Sequence, residues 1–142
     1  MILLSQGAAA AAAWTLKNSV AVEDSYGTVL TTPAIDTTAA NFLVAAYVGY
    51  NATDAGLIDS KLNTWLPGIS FLANTLTCAL RYVFNPVVGM GHTFTKLPGT
   101  NSGGFGSTTV TAWQAPTSPI PAFDQSNSVY VGTAVSTIQP GS

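Results

Sequence analysis

No segment of the chain carries the 3.6-residue apolar spacing of a long amphipathic helix; short runs of Thr, Val, Ile, Leu and aromatic residues alternate instead with clusters of Gly, Pro, Asn and Asp. Only the run Ala8 to Ala13 offers a helical turn or two, which is too short to stand alone in water. The punctuation predicts strands at Trp14 to Val22, Gly27 to Ile35, Asn41 to Tyr50, Leu57 to Asp59, Asn63 to Leu66, Ile69 to Ala73, Leu76 to Phe84, His92 to Leu97, Ser107 to Gln114 and Ser128 to Ile138. Short strands at this spacing imply an all-β fold, an antiparallel β-sandwich of jelly-roll or immunoglobulin-like type, with an Ala-rich N-terminal arm over residues 1–13 and the sandwich over 14–142. At 142 residues a single hydrophobic core suffices.

Composition reinforces this reading. Apolar residues make up 47% of the chain but charged residues only 7%, against roughly 25% in an ordinary soluble domain. Thr, Ser, Gly and Asn take the place of charge, and they suit strands and tight turns better than helices. Lys17, Lys61, Arg81 and Lys96 are scattered and form no basic stripe, which argues against nucleic-acid binding. A net charge of −2 also leaves little repulsion between copies, as suits a surface covered in an assembly. The N-terminus lacks both a basic n-region and an apolar stretch of about 20 residues, so no signal peptide or membrane anchor is expected.

Two strands permit a finer reading. Phe42 to Val48 is continuously apolar, as a central strand covered on both faces would be. In the strand from Leu76, the residues Leu76, Cys78, Leu80, Tyr82 and Phe84 alternate with smaller or polar ones and are assigned to the core, which makes the single Cys78 a buried apolar side chain. Asp59 to Asn63 reads as a hairpin turn, because Asp and Asn side chains bond nearby backbone and tolerate left-handed geometry.

Three segments also resemble a family of small uncharacterised bacterial and phage β-sandwich domains: Asp59-Ser60-Lys61-Leu62-Asn63-Thr64-Trp65; Leu80-Arg81-Tyr82 through Asn85-Pro86-Val87-Val88-Gly89-Met90-Gly91-His92-Thr93-Phe94; and Phe123-Asp124-Gln125. The likeness spans roughly Asp36 to Ser142, and the family carries Gly where this chain has Leu62. Its pattern continues with further strands beyond Ser142. The resemblance implies a setting in phage particles or large secreted proteins, and a sandwich completed by strands from another copy or a neighbour.

Catalytic chemistry is poorly provided for. His92 is the one histidine, no G-x-S-x-G elbow or paired C-x-x-C accompanies it, and it reads as structural or solvated. Glu23, Asp24, Asp36, Asp54, Asp59 and Asp124 sit in ordinary turn contexts, and Asp54 and Asp59 lack the spacing of a calcium loop, so no metal and no cofactor is expected. Trp65 and Trp113 are expected in the core, whereas Tyr26 and Tyr50, beside turns, are the candidate contacts for a ligand or partner. The expected function is therefore structural and non-enzymatic: a virion component such as a phage capsid decoration, head-fibre or tail-associated protein, acting as a homo-oligomer or with other virion proteins and located on the particle or outside the cell. A carbohydrate-binding or adhesive module of a secreted bacterial protein is the alternative, and a small hydrolase dependent on His92 is the least favoured.

Overall fold

A computed structural model describes residues 13–24, 29–50, 54–73, 76–98 and 106–116. Its strands are β1 (Thr15–Asp24), β2 (Leu30–Thr31), β3 (Phe42–Tyr50), β4 (Leu57–Asp59), β5 (Leu66–Ala73), β6 (Leu76–Phe84), β7 (Phe94–Lys96) and β8 (Gly106–Gln114). All described pairings are antiparallel, and they form a five-stranded sheet in the order β1-β8-β3-β6-β5 and a three-stranded sheet in the order β2-β7-β4. The two sheets pack as a β-sandwich. β1 pairs with β8, β2 with β7 and β3 with β6 in a nested order, while β4 pairs with β7 and β5 with β6.

The core is built from the inward positions of both sheets. Leu43, Ala45 and Tyr47 of β3, Ala79 and Val83 of β6, and Val110 and Ala112 of β8 meet Leu57 and Phe94 from the small sheet, with Val20, Ile35, Trp65 and Val88 packed at the margin. Small alanines on the large sheet allow the bulky side chains of the small sheet to approach closely. Phe94 is fully buried, stacked on His92 with ring centroids 4.3 Å apart and meeting Trp65 edge-on at 6.0 Å.

The register of β6 reverses the sequence-based assignment. Thr77, Ala79 and Val83 face the core, whereas Cys78 and Leu76 are exposed and Leu80, Tyr82 and Phe84 are only half-buried. A period-2 pattern establishes that a strand has two faces, but when both carry apolar residues it does not say which one is covered. β3 shows the same ambiguity. It does occupy the centre of the large sheet, between β8 and β6, yet only one of its faces is buried, and Ala46 on the other is exposed.

Other boundaries differ for local reasons. The predicted strands at Asn63 to Leu66 and Ile69 to Ala73 resolve into the single strand β5, which passes Pro67 and Gly68 through a bulge. Proline is tolerated there because β5 is an edge strand. Gly68 lies so close to β6 that a Cβ would come within 2.7 Å of Leu80 Cδ2 and 3.1 Å of its carbonyl oxygen. The strand expected over Gly27 to Ile35 shrinks to β2 plus an isolated bridge from Ile35 to His92. Residues 1–12, Tyr26, the Phe123-Asp124-Gln125 motif and the strand expected over Ser128 to Ile138 lie outside the described residues.

The turn from Asp59 to Asn63 is tight, but it does not close a hairpin. β4 pairs with β7 and β5 with β6, so this turn carries the chain from the small sheet to the large one. Leu62 sits in it at φ 61° and is 89% exposed, a left-handed conformation that costs a non-glycine residue about 1–2 kcal/mol. Leu62→Gly should therefore raise stability by about 0.5–1 kcal/mol, after glycine's larger entropy loss is subtracted. A urea midpoint that stays the same or falls would contradict this account of the turn.

Candidate functional site: two polar networks and an open apolar face

Asp59 organises the first network. It closes the end of β4 with its side chain fully buried, and Oδ1 accepts the backbone N–H of Lys61 at 2.8 Å and of Asn63 at 3.4 Å, together with the Asn63 amide at 3.2 Å. Oδ2 accepts the Trp65 indole N–H at 2.7 Å, and His92 Nε2 lies 3.0 Å from Oδ1. On its other side, His92 Nδ1 is 2.9 Å from Thr37 Oγ1, which also accepts the Gly89 N–H at 3.0 Å. Burial pushes the Asp59 carboxyl up, but His92, the backbone N–H groups and Trp65 together outweigh it and hold the carboxyl below its usual range.

Thr37, His92 and Asp59 thus stand in the order nucleophile, base and acid. All three are buried, however, and Thr37 and His92 have no accessible surface at all. Thr37 Oγ1 spends its bonding capacity on Gly89 and His92. The network ties the β4–β5 turn and the Thr37 turn to the segment before β7. The sequence-based reading of His92 as structural or solvated resolves to a buried residue, and the DSKLNTW and GHTF segments come together here as one unit. Asp36 behaves as turn chemistry predicts, with Oδ1 accepting the Thr38 N–H at 2.9 Å and its hydroxyl at 2.6 Å.

The second network lies farther along the inward faces of β3 and β6. The Arg81 guanidinium meets Asp54 Oδ2 at 2.5 Å and donates to the Tyr47 hydroxyl at 3.1 Å, and that hydroxyl in turn donates to Asp54 Oδ1. Burial, then the bond to Asp54, pushes the Tyr47 phenol up to about 12. Burial raises the Asp54 carboxyl, but the Tyr47 and Arg81 contacts prevail and hold it low; burial also lowers the nearby Lys96 ammonium. Asp54 and Asp59 are therefore both engaged by protein donors. Among the described residues no group of three or more His, Cys, Asp or Glu side chains is placed to hold a metal ion.

The opposite face of the large sheet has a different character. Register places Leu16, Ser19, Ala21 and, at the edge, Glu23 of β1, Ser107, Thr109, Thr111 and Trp113 of β8, Phe42, Val44, Ala46 and Val48 of β3, Cys78, Leu80, Tyr82 and Phe84 of β6, and Leu66, Ile69 and Phe71 of β5 on it. No described strand packs against this face, and β8, β3, β6 and β5 give it no charged side chain. Aromatics gather at one end: Phe42 stacks on Phe84 at 4.7 Å and receives the edge of Trp14 at 5.3 Å, while Tyr82 meets Phe84 edge-on at 5.5 Å. Trp14, Phe42 and Trp113 enclose an open apolar cavity of about 200 Å³. Trp113, expected in the core, belongs to this outer face and is half-buried, with its indole N–H donated to Thr111 Oγ1 at 2.8 Å.

Sequence reasoning placed the candidate contacts at Tyr26 and Tyr50; Tyr26 and the side chain of Tyr50 lie outside the described residues. The signal that would have found the outer face was already visible in β3, where both alternating sets are apolar although one of them meets no other described strand, and in β6, where the larger apolar set alternates with one that holds Thr77 and Arg81. No helix among the described residues is long and apolar enough to cross a membrane. The chain matches no protein-family model, no curated protein and no solved structure.

Proposed function

We propose that this protein is a non-enzymatic structural module of a virus particle, which works by packing the outer face of its five-stranded sheet against other protein subunits. The observation that carries the reading is that face: apolar across β3, β6 and β5, free of charge over four strands, and furnished with an aromatic cavity at one end. Contiguous apolar patches of more than a few hundred Å² are rare on free monomers and mark interaction sites. The nested pairing of β1 with β8, β2 with β7 and β3 with β6 supports a jelly-roll reading, an architecture shared by viral capsid and lectin domains. The resemblance of the Asp59 to Trp65 and Asn85 to Phe94 segments to bacterial and phage β-sandwich domains is compatible with it, as is a chain with only 7% charged residues.

The second reading, a carbohydrate-binding module, draws on the same jelly-roll reading and on Trp14 and Trp113. Sugar sites combine an aromatic platform with convergent polar groups, and the cavity between Trp14, Phe42 and Trp113 is lined almost wholly by apolar atoms. A glycan array separates the two readings. The assembly reading expects no specific glycan signal from the purified chain, whereas a signal abolished by Trp113→Ala with folding intact would replace it with the lectin reading.

A further inference from the structure

We infer that the occupant of the outer sheet face is a second copy of this chain, packed face to face across a two-fold axis; the inference rests on the assembly reading above and names its partner. Three observations favour a self-contact. In a two-fold interface each patch meets itself, so any net charge would face its own like. Here the outer positions of β8, β3, β6 and β5 carry none, the one register-placed charge, Glu23, sits on the edge strand β1 away from the centre, and the whole chain has a net charge of only −2. Shape agrees as well. Two sheets with the same right-handed twist stack in an aligned packing about 10 Å apart, so the best-matched partner for a twisted apolar sheet is another of the same twist.

Size is the third. Five strands about 4.8 Å apart, with nine residues in β3 rising about 3.3 Å each, give the face an area on the order of 700 Å². A stable interface buries roughly 800 Å² per partner. Ala21, Thr109 and Ala46 lie side by side on β1, β8 and β3 and form a shallow centre, while the cavity at Trp14, Phe42 and Trp113 accepts a projecting apolar side chain from the other copy. Large anchors filling such pockets supply most of the energy of an interface.

The test is the mass of the full chain by size-exclusion chromatography with light scattering, from micromolar to millimolar, together with the alkylation rate of Cys78, which is exposed on the same face. The expected mass is twice the 14.6 kDa of the chain, with Cys78 alkylated at least about tenfold more slowly when dimeric. Ala46→Arg and, independently, Thr109→Lys should halve the mass and restore fast alkylation without changing the circular dichroism of the fold. Ile58→Arg, on the exposed side of the small sheet, should leave the dimer intact. A monomer with reactive Cys78 at every concentration overturns the second copy but leaves the face open to a different subunit. An oligomer that ignores Ala46→Arg and Thr109→Lys likewise overturns the second copy, because it assembles elsewhere. A monomer whose Cys78 is shielded means that the chain's own residues cover the face, which overturns both this inference and the assembly reading.

Discussion

Asp59→Ala is expected to destabilise the protein by about 3–5 kcal/mol, enough to unfold a large fraction of a domain whose total stability is of the usual 5–15 kcal/mol. The size of the effect follows from what would be left behind. Asp59 accepts from the backbone of Lys61 and Asn63, the Asn63 amide and the Trp65 indole, and it faces His92. Truncation strands several of these donors in a place water does not reach, and each unsatisfied buried donor costs about 1–3 kcal/mol. Asn in the same position keeps one acceptor oxygen and should lose less. Urea unfolding followed by circular dichroism measures both, and a loss below about 1 kcal/mol for Asp59→Ala would mean that the network does not hold the β4–β5 turn.

The same carboxyl sets an acid limit. Asp59 and Asp54 are both held below the ordinary carboxylate range in the folded chain, so the unfolded chain takes up their protons first. The stability they confer is complete above about pH 4, the unfolded value, and is lost as pH falls through their lower folded values.

How much of this was legible beforehand differs from element to element, for physical reasons. Strand positions were readable because Thr-, Val- and aromatic-rich runs are separated by residues that break strands, and β4, β6 and β8 fall within a residue of expectation. The Asx turn at Asp36 was readable because its hydrogen bonds are local. The union of Thr37, His92 and Asp59 was not, since it depends on pairings over 33 to 55 positions that no short motif encodes. Nor was the outer face. Leu80, Tyr82 and Phe84 are larger than Thr77, Ala79 and Val83, and a reading that equates size with burial chooses the wrong side. The small sheet brings Phe94 and Leu57 inward, with His92 just before β7, and alanines on the large sheet leave the room they need.

That inversion makes a sharp prediction on adjacent positions of one strand. Leu43 and Val44 are both aliphatic residues of β3, but Leu43 is fully buried between the sheets, whereas Val44 points to the outer face and is half-buried. Leu43→Ala removes buried methyl groups and leaves a cavity that the flanking Ala45, Ala112 and Val83 are too short to fill, so it should cost about 2–5 kcal/mol. Val44→Thr, at a concentration where the chain is monomeric, should change stability by no more than about 1 kcal/mol, because a hydroxyl on a surface open to water loses little. At high concentration the ranking should narrow. Burial of the outer face in an assembly adds Val44 to an interior, and the Val44→Thr protein should then lose the part of its apparent stability that comes from association. If Val44→Thr costs as much as Leu43→Ala in the dilute monomer, the outer face is already part of that monomer's core, and the distinction between a packed inner sheet surface and an open outer one fails.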